Sequence, residues 1–208
     1  MTAETEIALA KQARVTRRRA ETRARLLDAA YHVFANKGFG RTRIEDVCAA
    51  AGYTRGAFYS QFDSLDSMFF TLYERQAEVI TQQVAAAISV DGEGLALAVA
   101  LERVASTLLL DRDWLLVKGD FLMHAARHPD LAQRLLEHRA RLQDALKRQL
   151  AAVSANAIGS FPTPEAAAHA VVAAYDGVTT QLLLDEDLPA ARRWLEQLLA
   201  ALLTTPPR

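Results

Sequence analysis

The chain has 208 residues, 51% apolar and 24% charged, which argues against disorder outside the ends and allows a sizeable buried core. No apolar run of about 18 residues is free of charge, and the opening MTAETEIALAKQARVTRRRAETR has no apolar centre, so neither a transmembrane helix nor a secretion signal is expected. The net charge of −1 hides an asymmetry: residues 1–62 carry 11 Lys/Arg against 6 Asp/Glu, and residues 63–208 carry 13 against 19.

An N-terminal excess of positive charge suits a polyanionic partner, although a basic solubilising tail has the same composition. Strand-like alternation is missing, and Ala, Leu, Arg, Glu and Gln dominate, so the expected fold class is all-α with about nine helices. Residues 1–15 read as a polar, mobile arm, residues 16–62 as a first domain and residues 63–208 as a second. The first helix is expected from Thr16 to Asn36, with Leu26, Ala30 and Val33 on one apolar stripe and Gly38 as a left-handed cap. TRIEDVCAAAG is the second helix, with Thr42 and Glu45 as a capping box and Gly52 as its end. A third helix of about six residues starts at Thr54. The fourth, capped by Asp63 or Ser64, runs to about Ser89 with Leu65, Phe69, Leu72 and Val79 inward.

Beyond the break VDGEG, helices are expected over about 95–110, 113–127 and 130–155, with a corner at RHPD. The loop NAIGSFPTP precedes two last helices, about 164–184 and 189–203. The single Cys48 rules out an internal disulfide and suits a reducing, cytoplasmic setting.

Two short helices joined by AGY have the layout of a helix-turn-helix, whose second helix reads base edges in the major groove. That explains a glycine in the first turn of TRGAFYSQF: Gly56 lets the backbone approach a duplex and leaves amides open to phosphate. Arg55 has the reach for a guanine edge or a phosphate, and Tyr59 and Gln61 can donate to phosphate oxygens. Phe58 and Phe62 face inward and hold the helix down. The upstream RVTRRRAETRAR supplies arginines for the flanking backbone or a minor groove. From these residues alone, a capped helical corner beside a solvated basic arm remains the other reading.

The segment TRARLLDAAYHVFANKGFGRTRIEDVCAAAGYTRGAFYSQFDSLDSMF closely resembles the DNA-binding domain of TetR-type transcriptional regulators, over about a quarter of the chain. The rest resembles the family in being helical and of suitable length. The resemblance implies a homodimer that binds a double-stranded DNA operator and carries a small-molecule inducer in its C-terminal core. Carried over by position, Thr42 and Arg43 touch the DNA backbone, Thr54, Arg55, Gly56 and Ala57 enter the groove, and Tyr59 and Gln61 contact phosphates. Gln61 departs from a common histidine, which removes a pH-sensitive contact there. Tyr53 and Cys48 also depart from the family pattern, and both are expected to serve packing, with a redox-sensing thiol as the alternative for Cys48.

In the C-terminal part, Val171, Tyr175, Val178 and Leu182 are spaced four, three and four, and Ala191, Leu195, Leu198 and Leu202 four, three and four. Each stripe is either buried within the subunit or paired with its copy as a four-helix bundle; the resemblance implies the second. WLLVKGDFLMHAARHPD is the expected pocket wall, with Trp114, Phe121 and Met123 as apolar surface and Asp120 and His124 as polar groups, in line with Arg127. That polar stripe alternatively faces solvent. Phe69, Phe70 and Tyr73 are further pocket candidates or plain core.

His124 and His128 have metal-ligand spacing, but Pro129 frays the helix and no third ligand is signalled, so no metal or other cofactor is expected. No glycine-rich phosphate loop, nucleophile elbow or serine–histidine pair is visible, so no enzyme is expected. The function these features imply is a repressor released from a near-palindromic operator by its ligand, with recognition helices about 34 Å apart and the fourth helix as lever. The alternative is a helical protein-interaction module without sequence-specific DNA binding.

Overall fold

A computed structural model describes residues 3–89, 97–107, 111–153 and 161–203. The described residues form nine α-helices and one 3-10 turn, with no strand among them. The expected break at VDGEG and most of the loop NAIGSFPTP lie outside the described residues. The chain divides into two compact units, Met1–Leu72 and Tyr73–Arg208. That division falls ten residues later than the expected boundary after residue 62.

In the first unit, α1 spans Ala3–Lys37, so the first helix starts well before the expected Thr16. The physical reason is composition: this stretch is built from Ala, Glu, Leu, Lys, Gln and Arg with no glycine or proline to stop a helix. Gly38 ends α1 with φ 85°, and its N–H donates to the Phe34 carbonyl at 2.9 Å. A 3-10 turn, Phe39–Arg41, then leads to α2, Ile44–Ala51.

The cap of α2 lies one residue beyond the expected Thr42–Glu45 box. Arg43 is the cap residue, and the Asp46 carboxylate accepts its N–H at 2.7 Å. The Thr42 hydroxyl instead donates to the Gly38 carbonyl at 2.8 Å. Gly52 closes α2 in the left-handed conformation, φ 71°, which a glycine adopts without a Cβ penalty. Thr54 caps α3, Arg55–Tyr59, with its hydroxyl oxygen accepting the Ala57 N–H at 3.3 Å. Ser64 and Ser67 cap α4, Leu65–Ser89, reciprocally: each hydroxyl oxygen accepts the other's N–H, at 3.1 and 3.2 Å.

The core of this unit is aromatic. Phe34 meets Phe39 at a tilt, 5.1 Å between ring centres, Phe39 meets Phe69 edge to face at 6.1 Å, and Phe58 lies 5.9 Å from Phe62. Leu26, Ala30, Val47 and Met68 complete it. Cys48 is buried among them, and that burial pushes its thiol pKa up, which makes it a packing residue and a poor thiolate.

In the second unit, α5 spans Leu97–Thr107, α6 Arg112–Ala125, α7 Pro129–Val153, α8 Pro164–Asp185 and α9 Leu188–Leu203. Asp111 caps α6, accepting the Asp113 N–H at 2.9 Å. At RHPD the corner forms as expected: Pro129 takes the first helical position, where it has no N–H to lose, and the His128 carbonyl accepts from Ala132. Thr163 caps α8 and Asp187 caps α9 in the same manner. Helix α8 packs on α9, α7 and α6, and α5 packs on α9.

The shared core of these helices contains Val178, Leu182, Ala191 and Leu195. These four therefore face inward and hold α8 to α9 within one chain, the first of the two arrangements the spacing allows. Val171, Tyr175 and Leu202 are half-buried against the same core, and only Leu198 of the two stripes is exposed.

Candidate nucleic-acid interface and ligand cavity

Helix α3 is five residues long and could not persist alone in water, so packing must hold it. Phe58, fully buried, is the anchor. Two arginines of α1 hold the other end. Arg23 donates to the Gln61 carbonyl at 2.8 Å and to the Thr71 hydroxyl at 3.2 Å, with its guanidinium 4.3 Å from the Phe62 ring centre. Arg19 donates to the Ser60 carbonyl at 3.2 Å. Two arginines of the basic run are thus engaged inside the unit, where sequence analysis had offered them to DNA or solvent.

What α3 presents outward is a short polar surface. Thr54, Arg55, Gly56 and Tyr59 are exposed, and Ala57 and Gln61 are half-buried beside them. The Arg55 guanidinium lies 2.9 Å from a Glu45 carboxylate oxygen and 5.9 Å from the centre of the Tyr59 ring. Both members of the Arg55–Glu45 pair are more than half exposed, so the pair is weak and open to exchange with another anion. Gly56 has no internal reason to be glycine. Its φ is not positive, and a Cβ there would meet only the Thr54 hydroxyl at 3.7 Å, an ordinary contact.

Of the other expected DNA contacts, Arg43 is exposed at the start of α2. Thr42 is not available: it is 8% exposed, its hydroxyl is bonded to Gly38 and its N–H to Phe39. Asp46, which caps α2, is paired with Lys37 at 2.5 Å; that pair, together with the Arg43 N–H, holds its carboxyl below the usual carboxylate range.

The second unit contains a cavity of about 100 Å³. Its apolar wall is Leu115, Leu122, Leu135 and Leu183, and its polar wall includes Lys118, Arg139, Asp176 and Thr179. Of the eight expected pocket residues, only Tyr73 lines it. Phe69, Phe70, Trp114 and Phe121 are core, because large apolar side chains gain most from full burial. Asp120 and Met123 are exposed and His124 is half-buried, so the polar stripe runs toward solvent. His124 and His128 stack at 4.4 Å, and no cluster of three or more metal-ligating side chains occurs among the described residues.

At the cavity wall, Asp176 accepts from Lys118 at 2.7 Å and from Arg139 at 2.6 Å. Burial works to raise the Asp176 carboxyl, but the two cations outweigh it and hold the group below its ordinary range. Burial also pushes the Tyr73 phenol up to about 12, so it stays a neutral donor at the wall. Lys118, Arg139 and Asp176 were not among the expected pocket residues, although a lone acid inside AAYDGVTTQLLL and a lone lysine inside WLLVKGDFL were signals.

Residues 26–72 match the family model described as bacterial regulatory proteins, tetR family. Residues 93–205 match the one described as tetracyclin repressor-like, C-terminal domain. The HTH-type transcriptional repressor Rv1474c of Mycobacterium tuberculosis is 31% identical over 134 residues, 62% of this chain and 67% of that protein. The regulator AcrR of Shigella flexneri is 38% identical over 63 residues, which span 30% of this chain and only 29% of that one. Among solved structures, the TetR-family regulator SCO4454 of Streptomyces coelicolor superposes with a TM-score of 0.63 at 25% identity, over 88% of this chain and 95% of that one. A transcriptional regulator from Rhodococcus sp. Rha1 shares the fold with a TM-score of 0.63 at 23% identity, over 87% of this chain and 95% of the other. These relatives are transcriptional regulators rather than enzymes. With family models matched in both parts and a repressor matched along two thirds of its length, the chain belongs to the TetR family of bacterial transcriptional regulators.

Proposed function

We propose that this chain acts as a homodimeric repressor that leaves a near-palindromic operator when a small molecule occupies its second unit. The observation that carries the reading is α3: a five-residue helix, anchored from behind by Phe58, that turns Arg55, Gly56 and Tyr59 to solvent. Glycine at 56 costs helix stability and gains nothing inside the fold, which suits a surface that another backbone must approach. Arg55 has the reach to exchange Glu45 for a guanine edge, while Arg43, Tyr59 and Gln61 set the register on phosphates. A retardation assay on the DNA upstream of the chain's own gene tests this. With Arg43 on a phosphate of each half-site, the logarithm of affinity is expected to fall with the logarithm of salt concentration at a slope of about −2 or steeper. A salt-independent shift, or none at low salt on any genomic DNA, contradicts it.

The dimer reading is supported by apolar side chains left exposed on the last two helices, of which Leu198 belongs to the expected stripe. Leu184 on α8 and Trp194 and Leu198 on α9 are 80%, 60% and 36% exposed, a costly arrangement for an isolated chain. Trp194 and Leu198 are four residues apart and share a helix face. A symmetric pairing through this face buries two copies of each, with Trp194 as the aromatic anchor. Trp194→Glu is expected to weaken the dimer at least roughly 100-fold, about 2.8 kcal/mol over two anchors. Sedimentation would read this as a change from dimer to monomer at micromolar protein, with helix content unchanged. A variant that stays dimeric would move the interface elsewhere.

Ligand response is the coarsest part of the proposal. The cavity of the second unit supports it, and any effect on DNA requires the ligand to bind one conformation of the dimer better than the other.

A further inference from the structure

We infer that the cavity of the second unit selects a small organic anion, a short carboxylate with an apolar body, whose charge is held by Lys118 and Arg139. This rests on the ligand-responsive reading above and adds the chemical class. Lys118 comes from α6, Arg139 from α7 and Asp176 from α8, and all three line the cavity. Their side chains are 19%, 28% and 29% exposed, so solvent screens them only in part. Two cations share one carboxylate, which leaves one positive charge over at the wall. Each oxygen of Asp176 is already taken, one by each cation. Lys118 and Arg139 keep further N–H donors, since an ammonium has three and a guanidinium five. A cationic ligand would meet net repulsion here, whereas a carboxylate completes the charge balance.

The rest of the wall fits the body of such a ligand. Leu115, Leu122, Leu135 and Leu183 offer hydrocarbon, which a bare inorganic anion would not use. Thr179 and Thr180 add hydroxyls, and Thr179 already donates back to the Tyr175 carbonyl at 2.8 Å. The volume of about 100 Å³ is smaller than the roughly 150 Å³ that admits benzene, so a body of about four heavy atoms is the upper size in this conformation.

Gly119 is the independent observation. It sits inside α6, where glycine costs roughly 1 kcal/mol against alanine, yet a Cβ there would meet nothing within 4 Å. Packing does not require this glycine, but an open cavity does, because a side chain at 119 would project into the space the ligand occupies.

The test is direct binding by calorimetry on the full-length chain at matched sodium and chloride. The probes are butyrate and isovalerate, with butyramide and n-butylamine as neutral and cationic counterparts. A carboxylate is expected to bind at least 10-fold tighter than the amide, and the amine not at all. Arg139→Gln should remove that 10-fold preference while leaving amide affinity within about two-fold, and Gly119→Leu should abolish binding of carboxylate and amide alike. If a variant is poorly folded by circular dichroism, the charge series on the unaltered chain still decides. Equal affinity for carboxylate and amide, preference for the amine, or no binding of any carboxylate at 10 mM overturns the assignment. The same samples in the DNA retardation assay separate the two ideas: a chain that shifts DNA but prefers the amine loses only the anion, and a chain that shifts no DNA loses the regulator reading whatever it binds.

Discussion

Replacing Arg55 by alanine is expected to lower affinity for the operator by roughly 5- to 150-fold per half-site, the range of one good bidentate base contact. In a dimer both half-sites lose the contact together, so the total loss is about 2–6 kcal/mol and specific binding is expected to vanish at physiological salt. The fold should not notice. Arg55 is exposed, its ion pair with Glu45 lies on the surface, and the cap of α3 belongs to Thr54. Melting temperature and dimer mass are therefore expected to match the unaltered chain. Tyr59→Ala provides the contrast: it is half exposed and placed for phosphate, so it should weaken binding to all sequences about equally. If both variants still bind the operator, α3 is not the reading helix.

The second large effect lies behind the same helix. Phe58→Ala removes a fully buried ring from the small aromatic core of the first unit, at a cost of roughly 3–5 kcal/mol. That is a large part of what a unit of this size has, since whole domains are stable by about 5–15 kcal/mol. With Phe58 gone, a five-residue helix keeps Thr54 at one end and the Arg19 and Arg23 contacts at the other, and has no apolar anchor. The first unit is expected to melt more than about 10 °C earlier, and DNA binding should fail in every salt condition. Calorimetry showing an unchanged melting profile would mean that α3 is held by its caps and arginines rather than by burial.

The helix-turn-helix was the most legible part of the chain because its punctuation is local. Gly52 in the left-handed conformation and Thr54 as cap fix the turn within three residues. The start of α1 was harder to see. Residues 3–15 carry helix-forming residues without an apolar stripe, and propensity without periodicity reads as a tail. At α2 two capping patterns overlap, Thr42–Glu45 and Arg43–Asp46. The 3-10 turn decides between them, because it brings the Gly38 carbonyl to the Thr42 hydroxyl and removes that group from capping.

The cavity and the outer apolar face were hidden for a different reason: both depend on contacts between helices. Lys118 and Arg139 are 58 and 37 residues from Asp176, so no local spacing joins them. The aromatic residues that looked like pocket wall were taken up by the core. Periodicity correctly marked apolar stripes on α8 and α9, but a stripe does not say what covers it. Here each helix covers the other through Val178, Leu182, Ala191 and Leu195, and Leu184, Trp194 and Leu198 are left exposed.

The measurement that tests the central claim most directly is selection of bound fragments from sheared genomic DNA by the purified full-length chain, followed by sequencing. The account predicts enrichment of a near-palindromic sequence whose half-sites are centred one helical turn, about 34 Å, or a multiple of it apart, and loss of that enrichment with Arg55→Ala. Fragments recovered without a shared sequence, or the same sequence recovered equally well by Arg55→Ala, would contradict it.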